Sequence, residues 1–400
     1  MKYDFEVLRQ RVLEQIDMST QIEDAEIYEL IDRFVLEEGK KQYLSISEKR
    51  NLRRDLYSSI CGLDILQGIL DDDEVTEIMV NGMQPIFVEK DGKLQETKKQ
   101  FGSKERLENV IQQIVAKVNR RVNESTPIVD ARLADGSRVN IVLSPIALDG
   151  PIITIRKFSR EPVSMEKLIS WGSITREAAE FLENLVKRRY NIFISGGTGS
   201  GKTTFLNALS NYVPKDERII TIEDSAELQI QGVKNLVRLE SREANTEGEN
   251  AVSMKDLIKS SLRMRPSRII VGEVRGEEAL DMLQAMNTGH DGSLSTGHSN
   301  SAKDMLTRLE TMVLMAVDMP IEAIRNQIAS ALDVIVHLGR MRDKSRKVLE
   351  ITEVCGMQNG QILLNPLFRY VETEKTSEDK KSNLKQEGGL IRVNEQKKNK

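Results

Sequence analysis

Residues Gly196-Gly197-Thr198-Gly199-Ser200-Gly201-Lys202-Thr203 run glycine, four residues, Gly-Lys-Thr, and no other stretch limits the fold as sharply. Such a loop works only between a strand and a helix. Its glycines let the backbone curl until successive N–H groups point at one anion, and the helix N-terminus adds partial positive charge. The flanks agree. Asn191-Ile192-Phe193-Ile194-Ser195 is a short apolar run that reads as a buried strand, and Thr204-Phe205-Leu206-Asn207-Ala208-Leu209 reads as the opening of a helix. At average residue frequencies the pattern arises by chance in about one chain in a hundred of this length. Residues Gly196 to Thr204 thus form a candidate phosphate cradle for ATP. In it Lys202 reaches the β- and γ-phosphates and Thr203 holds Mg2+.

Three further strand-like runs end in polar residues. Ile219-Ile220-Thr221-Ile222 ends at Glu223-Asp224, Ile269-Ile270-Val271-Gly272 at Glu273, and Leu294-Ser295-Thr296-Gly297 at His298. If these strands and the one before the loop are parallel neighbours, all four tips share the sheet edge at which open α/β folds bind ligands. Attack by water on a phosphate needs a carboxylate to orient the water and take its proton, and magnesium needs oxygen ligands. Glu273 follows a run of small apolar residues, and glutamate there favours orienting water. Glu223 is read as a catalytic or metal-supporting carboxylate, and Asp224, before Ser225, as that or a helix cap. His298 is read as a γ-phosphate contact or a structural hydrogen bond, and His290 as structural. Zinc is a weak reading, because no cysteine or third ligand lies near the two histidines.

Elsewhere the pattern predicts a helical, charged region over 1–60, with an amphipathic stripe at Ile27, Leu30, Ile31, Phe34 and Val35 and a second at Phe5, Leu8, Val12 and Ile16. Either the helices pack on their own chain or they offer a docking surface. Residues 61–158 read as a smaller α+β domain. Its expected strands lie near 77–80, 86–89, 93–95, 128–133, 138–143 and 152–156, and its helix near 105–121. A linker is expected over 159–174 and an ATPase domain of alternating strands and helices over 175–371. The polar, lysine-rich stretch 372–400 is expected to be disordered, because it holds too little apolar surface to order itself.

The balance of 58 basic and 62 acidic residues, net −4, argues against a general nucleic-acid coat. Cys61 and Cys355 stand alone, without metal or redox spacing, which suggests a reducing compartment. The acidic N-terminus is unlike a signal peptide, and no run approaches the roughly 18 apolar residues of a membrane span. The expected location is the cytoplasm.

Residues 196–203, 219–228, 269–276 and 289–301 together resemble the Walker A, aspartate, Walker B and histidine boxes of the type II/IV secretion traffic ATPases. The closest branch is the CpaF-like ATPases of tight-adherence pili. Glu77-Ile78-Met79-Val80-Asn81-Gly82, Asp135-Gly136-Ser137-Arg138-Val139-Asn140 and Ile155-Arg156-Lys157-Phe158 are similar to that branch as well. Gly297 departs from it, since many members carry a bulky apolar residue before the histidine. The resemblance covers about 60–370. It implies an α/β chain with a RecA-like P-loop domain preceded by a PAS-like α+β domain. It also implies a homo-hexamer, peripheral to the cytoplasmic membrane through a polytopic inner-membrane platform protein, with no nucleic acid bound. Arg138 and Arg156 then stand where arginines of the smaller domain touch the γ-phosphate, and ATP hydrolysis drives pilus assembly or protein secretion. Two rival readings remain at this level: a nucleic-acid-translocating P-loop motor, and a scaffold switched by ATP without hydrolysing it. The basic cluster Arg263, Arg265, Arg268 and Arg275 is left without an assigned role.

Overall fold

A computed structural model describes residues 4–16, 24–90, 92–118, 121–158, 162–242, 244, 249–372 and 388–397. The chain divides into two compact units, Met1–Ser159 and Arg160–Lys400.

The first unit opens with helices α1 (Phe5–Leu13), α2 (Asp24–Lys41) and α3 (Ile46–Ile60). The starts of α1 and α3 are locally specified: the Asp4 carboxylate accepts from the Glu6 and Val7 amides, and Ser45 and Glu48 form a capping box. The predicted stripes meet one another, burying Leu8, Val12, Ile27, Ile31, Phe34 and Val35 with Leu52 and Leu56 of α3. A 3-10 turn (Asp64–Leu66) and α4 (Gln67–Leu70) lead into β1 (Val75–Asn81), β2 (Phe87–Lys90) and β3 (Lys93–Glu96). Helix α5 (Lys104–Lys117), β4 (Ile128–Arg132), β5 (Arg138–Val142) and β6 (Ile152–Arg156) follow. The described strands form one antiparallel sheet in the order β3-β2-β1-β6-β5-β4. Leu107, Val110, Ile111, Ile114 and Val115 of α5 recur at helical spacing and share a core with Ile78, Val80, Ile153 and Ile155.

The second unit comprises α6 (Met165–Ser170), α7 (Arg176–Lys187), β7 (Ile192–Gly196), α8 (Lys202–Ser210), β8 (Arg218–Glu223) and β9 (Asn235–Glu240). It continues with α9 (Met254–Ser261), β10 (Arg268–Val271), α10 (Glu278–Asn287), β11 (Leu294–His298), α11 (Ala302–Ala316) and α12 (Ile321–Ala331). It ends with β12 (Val334–Arg340), β13 (Arg346–Gln358), β14 (Gln361–Glu372) and β15 (Gly388–Arg392). The sheet order among the described strands is β15-β14-β13-β12-β7-β11-β10-β8-β9. From β12 to β9 every pairing is parallel, and β13 to β15 add an antiparallel wing. Ile192 and Ile194 of β7 face a core shared with α7 and α8, while Phe193 faces one shared with α10, α11 and α12. Burial on both faces is why these strands read as unbroken apolar runs.

Two expectations are corrected. The described part of the expected linker, 162–174, is structured: Ser164 caps α6 by accepting from the Lys167 amide, and Met165, Leu168 and Ile174 join the core of the second unit. The tail is not disordered throughout. Residues 388–392 pair with β14 in the register Tyr370↔Leu390, and Leu390 is buried. Beyond them, the Lys397 amide donates to both oxygens of the buried Glu353 carboxylate at 3.1 and 2.9 Å. Ladder bonds and one apolar anchor suffice here, because β14 presents an open edge to pair with. The remainder of the expected tail, 373–387 and 398–400, lies outside the described residues.

Candidate active site

The carboxyl ends of β7, β11, β10 and β8 all face one edge, as parallel pairing requires. β11 lies between the strand of the glycine loop and the strand that leads to Glu273, with His298 in register with Gly196. The glycine loop fills the turn from β7 into α8. Gly199 and Gly201 have φ of +69° and +91°, a region that favours glycine, and Gly201 is the residue from which α8 starts.

Lys202 is buried to 7% exposure and folds back over the loop. Its Nζ donates at 3.1 Å to the carbonyls of Gly196 and Gly197, and at 3.1 Å to Nδ1 of His298. Burial lowers its pKa from the ordinary lysine value, aided by Arg275 and Arg308 and opposed by Glu273. Nε2 of His298 stands 2.9 Å from Oε1 of Glu273, a close contact that is not aligned as a hydrogen bond. Burial also lowers the His298 pKa, so the ring is neutral at pH 7, with Nδ1 accepting from Lys202 and the proton on Nε2 facing Glu273. On its other side, Oε2 of Glu273 accepts from Arg275 Nε at 2.7 Å, and Arg275 reaches Asp224 at 3.4 Å. The result is one chain of groups, Lys202–His298–Glu273–Arg275–Asp224, across three strand tips. Asp224 caps no helix, since none starts there; its carboxylate accepts from Ser241.

Glu223 sits deeper, at 2% exposure. One carboxylate oxygen accepts from the amides of Glu227 and Leu228 at 2.7 and 2.9 Å, and Oε1 is buried without a hydrogen-bond partner among the described residues. Burial pushes its pKa up to about 7 against the downward pull of those two amides. Gly272 makes room for it: a Cβ on Gly272 would stand 2.9 Å from Glu223 Cγ.

Thr203 lies half-buried in the first turn of α8. Among the described residues no three His, Cys, Asp or Glu side chains gather as a metal cluster. The Thr203 hydroxyl and the strand-tip carboxylates supply oxygen donors at this edge. With the orphaned Oε1 of Glu223, they fit a magnesium ion that draws its other ligands from water and phosphate.

Arg138 and Arg156 lie in the first unit as directly opposed partners on β5 and β6, and Arg156 is 4.0 Å from Glu77. The other arginines separate. Arg268 is fully buried and forked onto Glu217 at 2.6 and 3.0 Å, whereas Arg275 belongs to the site. His290 accepts a structural place, its Nδ1 3.2 Å from the Ala285 carbonyl at the end of α10.

Sequence reasoning missed two contributors, both from β12 and β13. The buried His337 ring lies 2.9 Å from Ser195 Oγ and also bonds the backbone of Asn300, which ties the base of the glycine loop to the loop after His298. Arg346 donates to the Gly199 carbonyl at 3.0 Å. No local motif marks either residue; only the placement of β12 beside β7 brings them there.

The type II/IV secretion system protein family matches residues 62–395. An uncharacterised Methanocaldococcus jannaschii protein is 42% identical over 276 residues, 67% of this chain, and the chain spans only 38% of that relative's length. A putative conjugal transfer protein of Mycobacterium tuberculosis is 34% identical over 305 residues, which is 74% of this chain and 86% of the relative. Among solved structures, the pilus retraction motor PilT with bound ADP aligns with a TM-score of 0.52. That alignment covers 76% of this chain and 81% of PilT at 21% identity, a likeness of fold alone. It fits the expected α/β architecture of an N-terminal domain followed by a RecA-like core. No described helix is long and apolar enough to cross a membrane. With five-sixths of its length matched by one family, the chain belongs to the type II/IV secretion system proteins.

Proposed function

We propose that this chain is a magnesium-dependent ATPase motor of the CpaF-like, tight-adherence branch, working as a homo-hexamer beneath a polytopic inner-membrane platform protein. The observation that carries the catalytic part is the continuous link from Lys202 through His298 to Glu273 at the mouth of the glycine loop.

In this reading the amides of 199–203 and the start of α8 bind the β- and γ-phosphates, and Lys202 exchanges its two loop carbonyls for phosphate oxygens. Thr203 and a strand-tip carboxylate would hold a magnesium ion, which would supply positive charge to the phosphates. Glu273 orients the attacking water in line with the γ-phosphorus, and a carboxylate takes its proton as the bond to the leaving ADP oxygen breaks. Glu223, with a pKa near 7, is matched to that proton transfer at neutral pH. His298 reads the γ-phosphate because it already bridges the lysine and the carboxylate that must part when the phosphate arrives. Arg138 and Arg156 supply further positive charge to the transferring group. The membership in a secretion family supports coupling of this cycle to transport at a membrane.

The test is phosphate release from Mg-ATP by the purified chain, with and without single-stranded DNA. DNA-independent turnover is expected. No turnover at all favours an ATP-switched scaffold, and a dependence on DNA favours a nucleic-acid motor; either result sinks the proposal.

A further inference from the structure

β12 runs parallel beside β7, with His337 opposite Ser195 and Leu338 opposite Gly196. β7 stops there, but β12 continues through Gly339 to Arg340, turns at 341–345, and returns as β13 from Arg346, which pairs directly with Arg340. The turn is closed by bonds from the Met341 amide to the Ser345 carbonyl and from the Lys344 amide to the Met341 carbonyl, at 2.8 and 3.0 Å. The overshoot lays the sequence Arg340-Met341-Arg342-Asp343-Lys344-Ser345-Arg346-Lys347 next to the glycine loop.

Arg346 meets the loop at two points. Its Nε donates to the Gly199 carbonyl at 3.0 Å, and its Cδ is 3.3 Å from where a Cβ on Gly201 would stand. Arg340 flanks the same stretch, with Nη1 3.7 Å from the corresponding point on Gly199. A loop that binds an anion through its N–H groups needs its carbonyls turned away from that anion. A carbonyl held by a cationic donor is fixed by a charge-assisted hydrogen bond, stronger than a neutral one. Among the described residues Arg346 forms no ion pair that would draw it elsewhere.

The next two residues of β13 hold a different segment. Lys347 Nζ donates to the Gly172 carbonyl at 2.8 Å, and the Val348 amide donates to the Ser173 carbonyl at 2.8 Å. Gly172 and Ser173 lie between α6 and α7, directly after Trp171, the one tryptophan of the chain. Three consecutive residues, 346 to 348, therefore connect the glycine loop to the segment that enters α7.

We propose that Arg346 is a positioning residue for nucleoside di- and triphosphates: it holds the glycine loop in its anion-binding shape, and through Lys347 and Val348 it couples occupancy of that loop to residues 171–173. The proposal rests on the ATP reading of the loop. It goes beyond that reading by assigning a structural reporter and a residue outside every motif.

The experiment uses the full chain and Mg-ADP. Calorimetry gives Kd, and Trp171 emission reports on the coupled segment. In the unaltered chain the emission changes with the calorimetric Kd. Arg346→Ala raises Kd by about ten-fold, the scale of one hydrogen bond to a charged donor. Arg346→Lys, which keeps one cationic donor, recovers part of that loss, and kcat falls less than KM rises. Lys347→Ala leaves Kd unchanged and diminishes the Trp171 response. A wild-type Kd in Arg346→Ala, or binding to the unaltered chain with silent Trp171 emission, overturns the proposal while the ATP reading stands. No Mg-ADP binding to the unaltered chain removes the ATP reading and this proposal with it. An unchanged thermal midpoint in Arg346→Ala separates a positioning effect from unfolding.

Discussion

Nδ1 of His298 and Nζ of Lys202 are 3.1 Å apart, so the histidine at the tip of β11 receives a hydrogen bond from the lysine at the start of α8. The geometry needs a neutral ring, which burial supplies. His298→Ala removes the group that bridges Lys202 and Glu273 and leaves only their own ion pair, 4.0 Å long. Phosphate release is expected to fall by about 10²-fold, with Mg-ADP affinity changed far less, as for loss of one preorganised donor. Equal losses in affinity and turnover would remove His298 from the catalytic step.

Lys202→Ala deletes the charge of the loop and its bonds to Gly196 and Gly197. Turnover is expected to drop by about 10²–10³-fold, with weakened nucleotide binding. Glu273→Gln keeps the shape but loses the charge facing Arg275 and His298. It is expected to bind ATP and stall, with turnover reduced by about 10²–10⁴-fold. Normal turnover in purified Glu273→Gln contradicts its role in orienting water.

Glu223 should set an acidic limb in the pH profile. Its carboxyl, raised by burial to about 7, must lose its proton to act as a base, so kcat falls as pH drops below about 7. Glu223→Gln should lower kcat and flatten that limb. The linked effect on stability has the opposite sense. A raised carboxyl pKa stabilises the fold fully below the unfolded value, and that contribution disappears as pH rises through about 7. The thermal midpoint of Glu223→Gln relative to the unaltered chain should therefore climb between pH 5 and 8. A pH-independent difference would show that the carboxyl is ionised throughout.

Glu217 and Arg268 offer a test of stability away from the chemistry. The Arg268 guanidinium is fully buried, forks onto Glu217, and also donates to the Val186 carbonyl at 2.7 Å. Burial pushes the Glu217 carboxyl up, and Arg268 with Arg189 more than offsets it, so its pKa ends below the usual value. Glu217→Ala leaves a buried cation without its partner and should destabilise the chain by about 3–5 kcal/mol in denaturant unfolding. A loss below 1 kcal/mol would mean that the backbone carbonyls alone satisfy Arg268.

The tips of β7, β8 and β10 were legible because Ile192–Ile194, Ile219–Ile222 and Ile269–Val271 are mostly apolar and a glycine or a carboxylate follows; the tip of β11, which holds Ser295 and Thr296, was legible from His298 after Gly297. That Glu273 and His298 meet followed from one assumption of parallel neighbours. The order of those neighbours did not follow, since nothing in Ile269–Gly272 or Leu294–Gly297 says which lies nearer to Ile192–Ser195. Arg346 and His337 were hidden for the same reason: they reach the loop across the sheet from over 130 residues away in sequence. Residues 388–397 were misjudged on composition, which counts apolar surface and not the open backbone of β14. Met165 and Leu168 fall within the stretch expected as a linker because six residues of helix are too short to show a periodicity; their burial comes from the core of the second unit.

Glu353 bears on how this chain can be handled. It is buried to 1% exposure, and the amide of Lys397 and the side chain of Asn365 surround it with donors. Loss of the segment that carries Lys397 removes the backbone donor to a carboxylate in the sheet. Limited digestion that releases this segment should therefore be accompanied by loosening of the antiparallel wing.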